Sequence, residues 1–156
     1  MIKFIFTDFQ SKPDTDSKTR CITAFCILAV LIFLIYSNSF QATWHFDDYV
    51  NITNNPRIQI RDLEPATLFE TFFASPEGKS KPYRSVAYLS LALNAYFGGQ
   101  NVFGYHVVNV LVHVVTAFFL FLCILKLFQT PKLRDRSPND AFFVALLAAT
   151  LWAVNP

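Results

Sequence analysis

A chain of 156 residues that is 53% hydrophobic, 17% aromatic and 15% charged, with 18 Phe against 4 Gly, falls well short of the roughly 25% charge usual in a soluble domain. Its apolar residues lie in near-continuous blocks, which excludes an ordinary soluble core and points to a membrane protein. A formal net charge of +2 makes no case for a nucleic-acid partner, and none is expected.

Residues 1–20 read as a polar, cytoplasmic lead with Lys12, Lys18 and Arg20 among three Asp. The run CITAFCILAVLIFLIYSNSF, residues 21–40, is the first predicted transmembrane helix, since at about 1.5 Å per residue it reaches roughly 30 Å. Phe40 at the −3 position for a cut after Ala42 argues against a cleaved signal peptide, so the helix is read as an uncleaved anchor. Residues 41–102 form a long loop with recurring proline and Asn-Pro signals and a short helical piece between Glu64 and Phe73. Within it, SVAYLSLALNAYF, residues 85–97, makes only about 20 Å of helix and is read as interfacial or re-entrant, with Ser90 and Asn94 on one side.

The second span, residues 103–128, is followed by a short cytoplasmic loop, QTPKLRDRSPND, residues 129–140. Residues 141–156 read as a third span cut short, with about 21 Å of apolar helix before Pro156. Basic residues before span one and around the 129–140 loop (Lys126, Lys132, Arg134, Arg136) put both on the cytoplasmic side, and residues 41–102 on the outer or luminal face. The expected fold class is all-α: a polytopic membrane bundle fragment with two full spans, a truncated third, and a long outer loop. Cys21, Cys26 and Cys123 lie in or beside apolar runs, without metal-ligand spacing or a disulfide framework.

Asp47 and Asp48, in HFDDYVNITNNP, are the first chemical candidates. One reading is a turn or helix cap, for which Asp is suited. The other is a general base: a carboxylate at the membrane interface between Phe46 and Tyr49 would be partly desolvated, which raises its pKa toward proton transfer. A metal would need more oxygen ligands than Asn51 and Asn54 can add, so none is expected. His106, Asn109, His113 and Thr116 are separated by three, four and three positions and share one face of span two. Such a face either packs against neighbouring helices or lines a polar pathway. Arg84 is suited to a phosphate at the membrane surface, or to snorkelling toward lipid headgroups. Asn51-Ile52-Thr53 fits a glycosylation sequon, although its closeness to the membrane argues against use.

FDDYVNITNNPRI, then YRSVAYLSLALNAYFGGQNVFGYHVVNVLVH, then LLAATLWAVNP occur in this order after a first span. Over about residues 21–156 the set resembles the N-terminus of polytopic glycosyltransferases with C-terminal tetratricopeptide repeats. That group includes the transmembrane and tetratricopeptide-repeat O-mannosyltransferases and many bacterial relatives. The resemblance implies a GT-C-like helical bundle whose first outer loop carries an acidic base. It implies a sugar, mannose among the possibilities, moved from a polyprenyl or dolichyl phosphate to a protein or glycan hydroxyl, with no cofactor beyond that lipid-linked donor. By the same resemblance Asp47, and after it Asp48, takes the base role, and Arg84 offsets the leaving phosphate.

Ser85 follows Arg84 where relatives often have Pro, and Asn155-Pro156 stands where many have His-Pro. The remaining donor-site helices and the repeats lie outside this sequence, so the piece alone is expected to be inactive. Location is read as the bacterial inner membrane, or the endoplasmic reticulum if the chain is eukaryotic. A non-catalytic membrane scaffold is the competing reading, and a transporter using His106, Asn109 and His113 is the third.

Overall fold

Hydropathy sets the longest helices, while side-chain hydrogen bonds set where they start and stop. The computed structural model describes residues 15–77 and 81–155, so most of the polar lead and Pro156 lie outside it. Among the described residues every regular element is helical. The α-helices are α1 (Thr15–Tyr36), α2 (Pro65–Glu70), α3 (Ser85–Gly98), α4 (Val102–Phe128) and α5 (Pro138–Ala153). Two helical stretches, Asp16–Gln41 and Val102–Phe128, are long and apolar enough to cross a membrane. The 16 residues of α5 reach about 24 Å, short of a roughly 30 Å hydrocarbon core.

The chain divides into two units, residues 36–111 and the remainder. In the unit formed by α1, the later part of α4 and α5, small and branched residues lie inside. Ala24, Leu28 and Ile32 repeat every fourth residue along α1, and Ala141, Ala145, Ala149 and Ala153 do so along α5; all are buried. A small-residue stripe such as that of α5 lets membrane helices approach closely, because lipid supplies no hydrophobic drive for their association. Phe25 meets Phe118 edge-on at 5.2 Å, and Phe121 meets Phe142 at 5.7 Å, so both α1 and α5 pack on α4. The outward positions are apolar too: Leu34 on α1 is 69% exposed, and Phe119, Phe143 and Leu151 are likewise exposed. Apolar residues inside and outside together are the pattern of a helix set in lipid rather than water.

α1 starts before its apolar run, because Asp16 and Arg20 pair across one turn at 3.1 Å and extend the helix backwards. α5 likewise begins at Pro138 rather than at Ala141: Ser137 caps it by accepting from the Asn139 N–H at 3.3 Å.

The 36–111 unit joins short helical pieces, α3 and the start of α4 around one apolar cluster. Ile52, Ile58, Ala74, Tyr88, Ala92 and Tyr105 form that cluster, with Trp44 set edge-on to Tyr105 at 5.0 Å. α3 contributes Tyr88, Ala92 and Ala95 to the buried side and leaves Val86 and Phe97 exposed. Gly99, at φ 60°, ends α3, and Asn101 caps α4 by accepting from the Phe103 N–H at 3.1 Å. A Cβ on Gly104 would lie 3.3 Å from the Asn94 side chain, so a glycine there lets α4 pass close to α3. At the entry to α2, the Thr67 side chain and the Glu64 N–H both bond to Asp62 and hold its carboxyl below its ordinary value of 3.8.

Candidate functional site

The acidic pair sits on a strained turn. Phe46 adopts φ 40°, in the left-handed region that costs a non-glycine residue about 1–2 kcal/mol. Two reciprocal bonds hold it: the Asp48 N–H donates to the His45 carbonyl at 2.9 Å, and the His45 N–H donates to Asp48 Oδ2 at 2.9 Å. Asp48 therefore closes the turn with its own side chain, which is half-buried. Asp47 is exposed, and among the described residues no donor or cation engages its carboxylate. The two acids have been given different jobs. The aromatic shielding expected of Phe46 and Tyr49 is not supplied by the chain itself: the Phe46 ring is 93% exposed and that of Tyr49 is exposed as well.

Behind the turn, the asparagines of NITNN act as staples. The Asn51 side-chain amide donates to the Asp47 carbonyl at 2.9 Å, and its Oδ1 accepts from the Tyr88 hydroxyl at 2.6 Å. Tyr88 is 5% exposed and belongs to the apolar cluster, so α3 anchors the backbone under Asp47. Asn55, also buried, donates to the carbonyls of Asn51 at 3.2 Å and Ala74 at 2.8 Å, while its Oδ1 accepts from the Arg57 N–H. The Arg57 guanidinium continues the series to the Phe73 carbonyl. These bonds replace a regular ladder around the π-helical turn Tyr49–Thr53 and satisfy its buried polar groups. A cleft of about 350 Å³ opens beside them, lined by Val50, Asn54, Asn55, Arg57 and Ser75.

Arg84 is exposed at φ 53°, at the start of α3, with its guanidinium carbon 5.1 Å above the Tyr83 ring. It forms no ion pair with Asp47 or Asp48 among the described residues; its carbonyl accepts from the Tyr88 N–H at 3.1 Å. The link between Arg84 and Asp47 is thus through the scaffold: one helical turn from Arg84 to Tyr88, then Asn51, then the Asp47 carbonyl.

Two of the polar side chains of α4 have partners of their own. His113 donates from Nε2 to the Ala153 carbonyl at 2.9 Å and stacks on Trp152 at 4.8 Å, a helix-to-helix contact with α5. Thr116 turns its hydroxyl to the Val112 carbonyl of its own helix at 2.8 Å. Asn109 is exposed and His106 half-buried, both in the 36–111 unit. Sequence reasoning weighed Asn51 only as a metal or glycan candidate and did not single out Tyr88 or Asn55. The crowding of four hydrogen-bonding side chains in NITNN was the available signal. Another cavity, of about 750 Å³, belongs to the other unit and is lined by none of these residues.

No family model and no solved structure matches the chain. Among known proteins it is similar to protein O-mannosyl-transferase tmtc2 of Xenopus laevis, with 36% identity over 58% of this chain. It is also similar to protein O-mannosyl-transferase Tmtc3 of Drosophila melanogaster, 32% identical over 91% of this chain, and to TMTC1 of Mus musculus, 30% over 85%. The chain spans only 11%, 17% and 14% of these three relatives respectively. All three come from animals, which lends no support to the bacterial inner membrane expected first.

Proposed function

We propose that this chain, which resembles the protein O-mannosyl-transferases over most of its length, is the opening portion of a membrane glycosyltransferase of GT-C type. In this reading the enzyme moves a sugar, mannose by the names of those relatives, from a polyprenyl- or dolichyl-phosphate carrier to a hydroxyl of a protein or glycan. The animal relatives favour the endoplasmic reticulum membrane, and the basic residues around the 129–140 loop favour a luminal placement for residues 41–102. The tetratricopeptide repeats and the remaining donor-site helices would follow in the longer protein.

The observation that carries the reading is the division of labour in the acidic pair. Asp48 is committed to the turn, while Asp47 presents an unengaged carboxylate on a backbone pinned by Asn51 and Tyr88. The acceptor hydroxyl oxygen attacks the anomeric carbon, its proton passes to Asp47, and the bond from that carbon to the phosphate oxygen breaks. The lipid phosphate leaves with the electron pair, and Arg84 offsets the charge it gains.

The test is transfer of labelled mannose from dolichyl-phosphate mannose to an acceptor protein by the complete enzyme. Asp47→Asn should lower turnover by about 10²–10⁴-fold at normal abundance, the usual size of a general-base contribution. Wild-type transfer by Asp47→Asn would sink the assignment. A scaffold is the second reading, favoured by the structural bond of Asp48; it requires Asp48→Ala, which deletes the acceptor of the His45 N–H, to lower folded yield while Asp47→Asn changes nothing.

A further inference from the structure

We propose that the unit formed by α1, α4 and α5 carries a binding site for the phosphate headgroup of an anionic membrane lipid, in the groove ringed by Arg20, Arg134 and Arg136. The groove has a volume of about 750 Å³ and lies where α1 begins, α4 ends and the turn into α5 crosses between them. Three arginines line it, from two separate segments of the chain. Its own carboxylate is Asp16, which engages Arg20 through Nε at 3.1 Å, so the lining keeps a formal surplus of positive charge. Asp135 stands 4.0 Å from Arg134 with both side chains largely exposed, a weak pairing in water. Asp140, in the first turn of α5, is exposed and outside the lining. Arg136 has no carboxylate partner among the described residues.

Two further features select the ligand. The start of α5, Ser137 to Asn139, lines the same groove, so its amide end adds positive potential beside the arginines. Below this polar rim the wall is apolar: Cys21, Leu125, Phe128, Ala141 and Phe142. A free phosphate has no use for such a wall, whereas a lipid matches it with the upper part of its acyl chains. The groove also sits at the ends of two membrane-length helices, the depth at which headgroups lie. Guanidinium forks match phosphate oxygens in pairs, and basic pockets between membrane helices hold anionic headgroups for this reason.

The test uses the whole purified chain in neutral detergent near 0.15 M salt, where exposed charges more than about 8 Å apart are screened. Retention of dioleoyl phosphatidic acid, dioleoyl phosphatidylcholine and inorganic phosphate is measured by native mass spectrometry. Phosphatidic acid should be retained at least about tenfold better than phosphatidylcholine, and millimolar phosphate should not displace it. Arg136→Gln should weaken phosphatidic acid about fivefold, and Arg134→Gln with Arg136→Gln roughly thirtyfold. The control pair Lys18→Gln with Lys132→Gln removes the same charge from residues outside the lining and should cost less than about twofold. Equal losses in both pairs would mean diffuse attraction and overturn the site. Displacement by inorganic phosphate, or equal retention of the two lipids, would overturn the lipid assignment.

Discussion

Replacing Tyr88 by Phe removes one oxygen and leaves the ring in its cluster. The lost bond is the 2.6 Å contact from the Tyr88 hydroxyl to Asn51 Oδ1. Asn51 is half-buried, so water can reach the vacated acceptor, and the cost should be the net value of a neutral hydrogen bond, about 1 kcal/mol. With RT near 0.59 kcal/mol, that is about a fivefold rise in local opening around residues 45–55. Asn51→Ala should cost more, about 2–4 kcal/mol. It strands the hydroxyl of a tyrosine that is 5% exposed and also deletes the bond to the Asp47 carbonyl. In the double variant the stranded hydroxyl is gone, so the combined cost should fall short of the sum by about 1 kcal/mol. Hydrogen exchange followed by mass spectrometry reads this directly, with peptides from α5 as the internal control. Unchanged exchange over residues 45–55 in Tyr88→Phe, or strictly additive costs, would refute the claim that α3 pins the acidic turn through Asn51.

Ala145→Leu forces a larger side chain into a fully buried position of the α5 stripe and should cost about 1–3 kcal/mol, seen as a lower thermal midpoint. The exposed Leu147→Ala should shift that midpoint far less. His113→Ala removes the bond to the Ala153 carbonyl and the stacking on Trp152, and should loosen α5 by about 0.6–1.7 kcal/mol, measured as faster exchange near its C-terminal end. On the proposed function it should leave sugar transfer by the longer protein unchanged; a change in transfer would give that face of α4 a functional role. Asp62 should titrate below 3.8 by carboxyl NMR. Because its folded pKa is lowered, its contribution to stability is present above the unfolded value and is lost as pH falls through the folded one.

The long elements were legible for plain reasons. Hydropathy marks α4 nearly to the residue, and the Gly98-Gly99 pair marks the end of α3. Hydropathy is blind to charged residues that continue a helix, which is why Thr15–Arg20 joined α1 without warning. It is equally blind to a Ser-Pro start, which moved α5 forward to Pro138. The acidic motif stood out in the sequence, but not the difference between its members. That difference depends on the backbone at Phe46 and the Asp48 bond to the His45 N–H, and the support beneath Asp47 on a bond between Asn51 and Tyr88, 37 positions apart. No local pattern carries such a pairing. Phe46, in the left-handed conformation, leaves its ring 93% exposed, so within the chain itself it does not cover its neighbour.

Asn51 heads the triplet Asn51-Ile52-Thr53, so the amide that clamps the loop is also the atom an N-glycosylating enzyme would take. An attached sugar replaces one hydrogen of Nδ2 and adds bulk where the residue is half-buried. Folding and modification would then compete for one nitrogen on any luminal loop with this sequence. In that setting a chain that closes the Tyr88 contact promptly would stay bare, and one that lingers open would be exposed to tagging. Occupancy at Asn51 would thus be a written record of how long that segment stayed unfolded.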